Sequence, residues 1–289
     1  MKGGNADEAK WIVLLLIASL IWGSTFVVVK DTLDSFGTFA LLSIRFAMAT
    51  AILGIYILLK GGRITRDEVK YGSLLGFLLF VGYSMQTLGL KYVSATDSAF
   101  ITNLYVIMVP IFSALLLGRM PQRKIWLACV MALLGLVIMT GAAVGGFGLG
   151  EVITFVCAVG FALEMIYLSK YTQHCDPLNL SFIMIAAVTL LSAILVVPTG
   201  EVPSSYPLGA LEAIVFLAVF ATAIGQTIQN EVQKRLDPSK VAILLITEPI
   251  FAAIFGTILL GEVFTAQKFA GAALILLALF IAEYDGIKI

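Results

Sequence analysis

Residues 110–114 read Pro-Ile-Phe-Ser-Ala and residues 249–253 read Pro-Ile-Phe-Ala-Ala, one phrase occurring twice in a chain of 289 residues. Matches of apolar text are cheap, so the surroundings decide what this echo means. A shift of 143 positions superposes Gly82 on Gly225, Gln86 on Gln229, Lys91 on Lys234 and Gly118 on Gly261. The interval from Lys91 to Gly118 therefore equals that from Lys234 to Gly261. The proline comes four residues, about one helical turn, earlier in the second copy. The chain reads as a duplicated unit whose matching helices are equal in length, with kinks expected at different depths.

The medium of that unit follows from composition. Hydrophobic residues make up 60% of the chain and charged residues 12%, and the mean hydropathy is +1.04. A soluble domain is far more polar, so most of this surface faces lipid. Ten apolar runs of span length are separated by short polar or Gly/Pro punctuation. They cover Trp11 to Val29, Phe36 to Leu59, Tyr71 to Leu90, Ser98 to Leu117 and Ile125 to Val144. The second set covers Leu149 to Ser169, Leu178 to Val197, Leu208 to Ile228, Val241 to Leu260 and Ala266 to Tyr284. Lipid offers backbone groups no partners, and these runs are about twice as long as barrel strands, so they are helices. The expected class is an all-α membrane protein of ten transmembrane helices, multi-pass in a prokaryotic inner or plasma membrane.

Orientation comes from Lys and Arg, which favour cytoplasmic loops. With the N-terminus inside, the cytoplasmic set is Lys2, Lys10, Lys60, Arg63, Arg66, Lys70, Arg119, Arg123, Lys124, Lys170, Lys234, Arg235, Lys240 and Lys288. Only Lys30, Lys91 and Lys268 fall outside, and Arg45 lies within a span. Both termini are thus expected in the cytoplasm. Five spans per copy is an odd number, so the second copy enters the membrane from the opposite side and the repeat is inverted. The organisation is a cytoplasmic tail at 1–10, a first five-helix repeat at 11–144, a linker at 145–148 and a second repeat at 149–289. That linker sits in the uncharged, glycine-rich stretch 141–150.

At the level of motif the chain resembles the drug/metabolite transporter superfamily, specifically its EamA-type ten-helix exporters. The resemblance rests on Trp22-Gly23-Ser24-Thr25-Phe26 in span one, Arg45-Phe46 in span two, Glu248-Pro249 in span nine and Gly261-Glu262 after it. It covers nearly the whole chain and depends on the order of these motifs within two repeats. It implies that spans one, three, four, six, eight and nine surround a central cavity. One departure is Gly118-Arg119 where the family often has Gly-Glu, which bears on the salt bridging of that loop.

The polarity of the spans points the same way. Spans five and ten are almost wholly apolar and are expected to face lipid or a second copy, in a monomer or a homodimer. The other six carry polar and aromatic groups at helical spacing. Span one presents Ser19, Trp22 and Phe26, with Thr25 beside them; span three presents Tyr83, Gln86 and Thr87. Span four presents Thr102, Asn103, Val106, Pro110 and Ser113, with Tyr105 on the same helix. Span six presents Thr154, Phe161, Glu164 and Tyr167, and span eight Thr222, Gln226, Gln229 and Asn230. Gly72 and Gly76 form a small-residue pair suited to helix packing.

Three ionisable groups lie inside spans, and each needs a partner or a cavity. For Arg45 a role holding helices together is favoured over neutralising a substrate carboxylate. Glu164 shares a face with Phe161 and Tyr167 and is the stronger functional candidate, able to carry a proton or pair with an amino group. Glu248 precedes Pro249, and a hinge role and a coupling role stand side by side; Pro110 is the corresponding hinge in span four. The expected substrate contacts are Trp22, Tyr83, Gln86, Asn103, Tyr105, Glu164, Tyr167 and Gln226, with Glu164 and Glu248 as coupling or gating groups.

A zero net charge excludes a global field for nucleic acid. The three cysteines imply no disulfide framework. His174, Cys175 and Asp176 fit no familiar metal pattern, so no metal and no cofactor is expected. There is no P-loop, no Gly-x-Ser-x-Gly and no His-Glu-x-x-His, so neither ATP hydrolysis nor an intramembrane enzyme is supported. What remains is a secondary transporter exporting a small polar or amphipathic metabolite, such as an amino acid, by alternating access. A proton through Glu164 or Glu248, or the substrate's own gradient, would supply the energy. An exchanger of phosphorylated or nucleotide-linked sugars would want cations in the cavity and ranks second; a scaffold or sensor gains little from an inverted repeat.

Overall fold

The computed structural model describes residues 3–117, 122–141, 147–236, 241 and 244–283, with side chains from residue 9 onward except at 117 and 283. Gly118 and Arg119, and with them the departure from the family pattern, lie outside the described residues, as do positions 145 and 146 of the expected linker. Every regular element described is helical. In chain order they are α1 Gly3–Thr32, α2 Thr38–Leu59, α3 Arg66–Gly89, α4 Ala95–Thr102, α5 Tyr105–Leu117 and α6 Arg123–Thr140. There follow α7 Leu149–Tyr171, α8 Pro177–Val196, α9 Leu208–Phe216, a π-helical stretch Leu217–Ile224, α10 Gly225–Arg235, α11 Glu248–Leu260 and α12 Ala266–Glu283. Among the described residues, eight helical segments are long and apolar enough to cross a membrane, and two shorter apolar helices cover 248–260 and 266–282.

The helix ends carry the chemistry expected of them. Thr65 accepts from the Glu68 amide while Glu68 accepts from the Thr65 amide, a reciprocal capping box at the start of α3. Ser94 caps α4 and Asp176 caps α8, where Pro177 occupies a first-turn position that needs no donor. Gly141 and Gly261 end α6 and α11 in left-handed conformation, at φ +72° and +65°, which only glycine adopts without strain.

Packing pairs the helices across the sequence. α1 lies on α11 and on the π stretch with α10; α3 lies on α7 and α8; α2 lies on α8 and the π stretch; α4 packs on α11, and α4 and α5 pack on α7. α6 and α12 lie against each other, with Gly135 and Gly271 meeting so closely that a Cβ on either would fall within 2.8 Å of the other's carbonyl oxygen. Their opposite faces, including Leu127, Val130, Leu133 and Leu134 on α6 and Phe269, Leu277 and Phe280 on α12, are exposed. Gly72 and Gly76 seat α3 on Ile183, Met184 and Ala187 of α8, the close approach that small residues permit.

The helix breaks correct the expectation about the kinks. Span four is interrupted at Asn103–Leu104, and the turn before α11 falls at Ile246–Thr247. These two breaks are separated by the same 143 positions as the other echoes, so they lie at corresponding depths. The prolines stand differently with respect to them. Pro249 sits in the first turn of α11, where a missing N–H costs nothing, and Pro110 lies inside α5. At the second break Thr247 donates to the Leu244 carbonyl at 2.7 Å and shares a 2.8 Å hydrogen bond with Ser19 of α1.

One end of the bundle is tied by side chains from its loops. Lys30 donates to the carbonyls of Leu90 (2.9 Å) and Val93 (2.5 Å). Glu201 accepts from the Phe39 amide at the start of α2 and pairs with Lys91 at 3.4 Å. Glu262 accepts from the amides of Ala95 (2.6 Å) and Thr96 (3.1 Å) and from the Thr96 hydroxyl (2.6 Å), and so caps α4 from the far half of the chain. Lys268 pairs with Asp97 at 2.8 Å. At the other end Glu68 also accepts from the Asp176 amide and the Asn179 side chain.

Candidate functional site

Six segments converge on a central cavity with an empty volume of about 540 Å³. α1 contributes Trp22 and Thr25, and α3 contributes Leu79, Tyr83 and Gln86. Thr102 ends α4 and Tyr105 begins α5, on either side of the break. α7 supplies Phe161, Glu164 and Met165, α10 supplies Gln226 and Gln229, and Leu245 and Glu248 flank the break before α11. Its wall combines apolar and aromatic side chains with convergent polar groups, the make-up of small-molecule sites.

Local sequence explains why these side chains reach the centre. Trp22 and Thr25 are three apart on α1, as Phe161 and Glu164 are on α7, so each pair shares a face. Gly225 leaves room for Trp22, whose Nε1 would lie 2.9 Å from an added Cβ, and Gly82 leaves room for the Phe161 ring. The two glycines that superpose in the repeat thus each admit an aromatic ring from the opposite half. The π stretch matters here too. The Gly225 amide donates to the Phe220 carbonyl, a bond of π register, and the Ala221 carbonyl accepts from Trp22 Nε1 at 2.8 Å. Gly23 lets α1 approach α11, where an added Cβ would meet Phe251 Cβ at 2.5 Å and the Glu248 carbonyl oxygen at 2.8 Å.

The polar groups of the wall are buried apart from Gln86, which is half-buried. Gln86 Nε2 donates to Thr102 Oγ1 at 3.4 Å, and Gln226 Nε2 donates to Asn230 Oδ1 at 3.3 Å. Asn230 in turn donates to Ser181 at 2.8 Å, tying α10 to α8. Glu164 is 2% exposed and its Oε1 has no hydrogen-bond partner among the described residues; Glu248 is 8% exposed. Tyr83 meets Phe161 edge-on at 5.3 Å, and Tyr105 meets the same ring at 6.4 Å.

Of the residues expected to touch substrate, Trp22, Tyr83, Gln86, Tyr105, Glu164 and Gln226 line this cavity, together with Glu248. Asn103 and Tyr167 are not among its walls. Asn103 is buried at the break, with its amide donating to the Ala99 carbonyl at 3.3 Å. Tyr167 stacks on Tyr171, which stacks on Tyr71 at 4.1 Å. Arg45 is also outside the walls. It is 1% exposed, donates from Nε to Thr222 Oγ1 at 2.7 Å, and holds its guanidinium 5.0 Å from the Tyr83 ring and 5.2 Å from Phe46. It joins α2, the π stretch and α3 behind Tyr83. Leu79, Met165 and Leu245 carry no polar signal in the sequence, and only packing assigns them to the wall.

Among the described residues no three of His, Cys, Asp and Glu gather as metal ligands. Asp176 is engaged as the cap of α8, and burial, then the carboxylates of Glu68 and Asp67, push the neighbouring Cys175 thiol up.

The chain matches the EamA-like transporter family twice, at residues 9–141 and 148–284. It belongs to that family. Among its relatives is an uncharacterized transporter of Archaeoglobus fulgidus, 34% identical over 286 residues that cover 97% of this chain and 89% of that protein. A probable amino-acid metabolite efflux pump of Salmonella typhimurium is 25% identical over 93% of each chain. A solved structure titled only as a crystal structure of protein superposes with a TM-score of 0.69 at 20% identity, over 95% of this chain and 96% of that one, and so shares the fold. This EamA-like chain is therefore a multi-pass transporter of the cell membrane and not an enzyme.

Proposed function

We propose that the chain is a ten-span secondary transporter, two inverted five-helix repeats with both termini cytoplasmic, that exports a small polar or amphipathic metabolite by alternating access. The observation that carries this reading is the central cavity shared by six segments drawn from both halves. The helix pairings support the repeat. If the halves are exchanged, α1 on α11 becomes α7 on α4 and α5, and α3 on α7 becomes the π stretch and α10 on α1. The pairing of α3 with α8 becomes that of the π stretch with α2, while α2 on α8 and α6 on α12 map onto themselves. A site at the centre of such an arrangement opens to either side when the halves trade shapes. The matched breaks in spans four and nine supply places for that bending.

Glu164 and Glu248, both from the second half, are the groups able to couple transport to a proton. Arg45, engaged with Thr222 behind Tyr83, leaves the walls without the cation that a phosphorylated sugar would require. The amino-acid metabolite efflux ascribed to the Salmonella relative is consistent with this cargo class. The exposed faces of α6 and α12 are proposed to meet lipid or a second copy.

The test is counterflow in proteoliposomes across a panel of amino acids and related metabolites. Saturable exchange of at least one solute is expected, and none across the panel refutes transport. Replacing Gln226 with Cys should give a thiol that substrate protects and that is labelled from both sides of the membrane. Labelling from neither side removes α10 from the path.

A further inference from the structure

Building on the transport reading, we infer that the cavity takes a small organic monocation: an apolar body carrying a protonated amine and no free carboxylate. The charged groups among the residues lining it are Glu164 and Glu248, and none of those residues is Lys, Arg or His. The two carboxylates come from α7 and the start of α11, far apart in the sequence of the second repeat, so their meeting is a property of the tertiary structure. Acidic groups alone would not define a ligand. The further observation is that Glu164, almost fully buried, is part of the cavity wall and that its Oε1 has no donor to satisfy it among the described residues. A buried carboxylate oxygen in that state is costly, and an ammonium group offers three donors and the opposite charge.

The rest of the wall suits the same ligand. Trp22, Tyr83, Tyr105 and Phe161 present four aromatic rings to the cavity, and ring faces attract cations while their apolar surface accepts a hydrocarbon body. The Trp22 N–H is already used by the Ala221 carbonyl, so the indole's contribution is its ring. A zwitterion fits less well. Its carboxylate would face two acidic side chains with only neutral amide and hydroxyl donors to hold it. The guanidinium of Arg45 is not part of the wall: its Nε donates to Thr222 and it lies behind Tyr83, although its Nη2 has no hydrogen-bond partner among the described residues. An amine derived from an amino acid, or one whose carboxyl is masked, meets the charge pattern; the free amino acid does not.

The experiment is a charge series on one body. Purified full-length protein is titrated at pH 7 with phenethylamine, 2-phenylethanol, phenylalanine and 3-phenylpropanoate, which are cationic, neutral, zwitterionic and anionic. Binding is read by thermal stabilisation, and each probe is then tested as a counterflow substrate. Phenethylamine should bind about 10-fold or more tighter than each of the others. Glu164→Gln should weaken phenethylamine by about 10- to 100-fold and change 2-phenylethanol little. Should that variant not fold, the order of affinities in the unmodified protein carries the test alone. Equal or tighter binding of phenylalanine or the anion overturns the inference, as does binding of none of the four. Saturable counterflow of another solute in that event leaves the transport reading standing, and its absence removes both.

Discussion

Gly23 sits where α1 meets the start of α11, and Gly23→Ala tests that contact directly. The added methyl would lie 2.5 Å from Phe251 Cβ, 2.8 Å from the Glu248 carbonyl oxygen and 3.0 Å from the Ala252 amide nitrogen. Carbon atoms rest at 3.5–4.0 Å, so the two helices must part by about 1 Å at this point. Two of the three atoms are backbone, which no rotamer change can move. Overpacking of this kind costs about 1–3 kcal/mol, and the better helix propensity of Ala returns up to about 1 kcal/mol. A net loss of about 1–2 kcal/mol is therefore expected. Gly209→Ala is the control: nothing lies within 4 Å of its added Cβ, so it should be neutral or stabilising by up to about 1 kcal/mol. The assay is unfolding of both variants in detergent, followed by tryptophan fluorescence, with counterflow measured on the same preparations. If Gly23→Ala matches the unmodified protein in stability and rate while Gly209→Ala does too, the close approach of α1 to α11 is refuted.

Three other changes probe separate parts of the argument. Glu262→Gln keeps the shape but removes the charge that caps α4; a loss of about 0.5–2 kcal/mol is expected in the same unfolding assay, and an unchanged midpoint would show that the cap holds nothing. Thr222→Val leaves the buried Arg45 Nε without its acceptor and should destabilise by about 1.5–3 kcal/mol, whereas a neutral result would mean that Arg45 is satisfied by Tyr83 and Phe46 alone. Glu164→Gln should abolish the pH dependence of transport, the surrounding titratable or charged groups being Glu248, Tyr83, Tyr105, Cys157 and Arg45; a pH profile that survives would move the proton to Glu248.

The features legible in the sequence are those that one helix expresses by itself. Lipid supplies no hydrogen bonds, so an apolar run of sufficient length must be helical wherever it packs. Equal spacing of glycines and amides records a duplicated unit, and the side chains of Trp22, Thr25, Phe161, Glu164 and Gln226 could be put on a polar or aromatic face by counting turns. Counting turns does not say what that face meets. Tyr167 shares a face with Glu164, yet it stacks on Tyr171 beside Tyr71. Asn103 marks the break and not the wall. The breaks lie at corresponding positions although the prolines do not, so the proline spacing misjudged their depth. Arg45 has the charge of a ligand-binding group, and only the placement of Thr222, Tyr83 and Phe46 around it shows that it is already satisfied in part. Glu262 reads as a loop carboxylate until the fold brings it to the amides of Ala95 and Thr96. By itself the sequence determined the solvent, the helices and the duplication, since these depend on hydropathy and local spacing. Tertiary structure alone decided that two carboxylates from separate helices share one cavity with no basic side chain among its lining residues, because that depends on which helices touch.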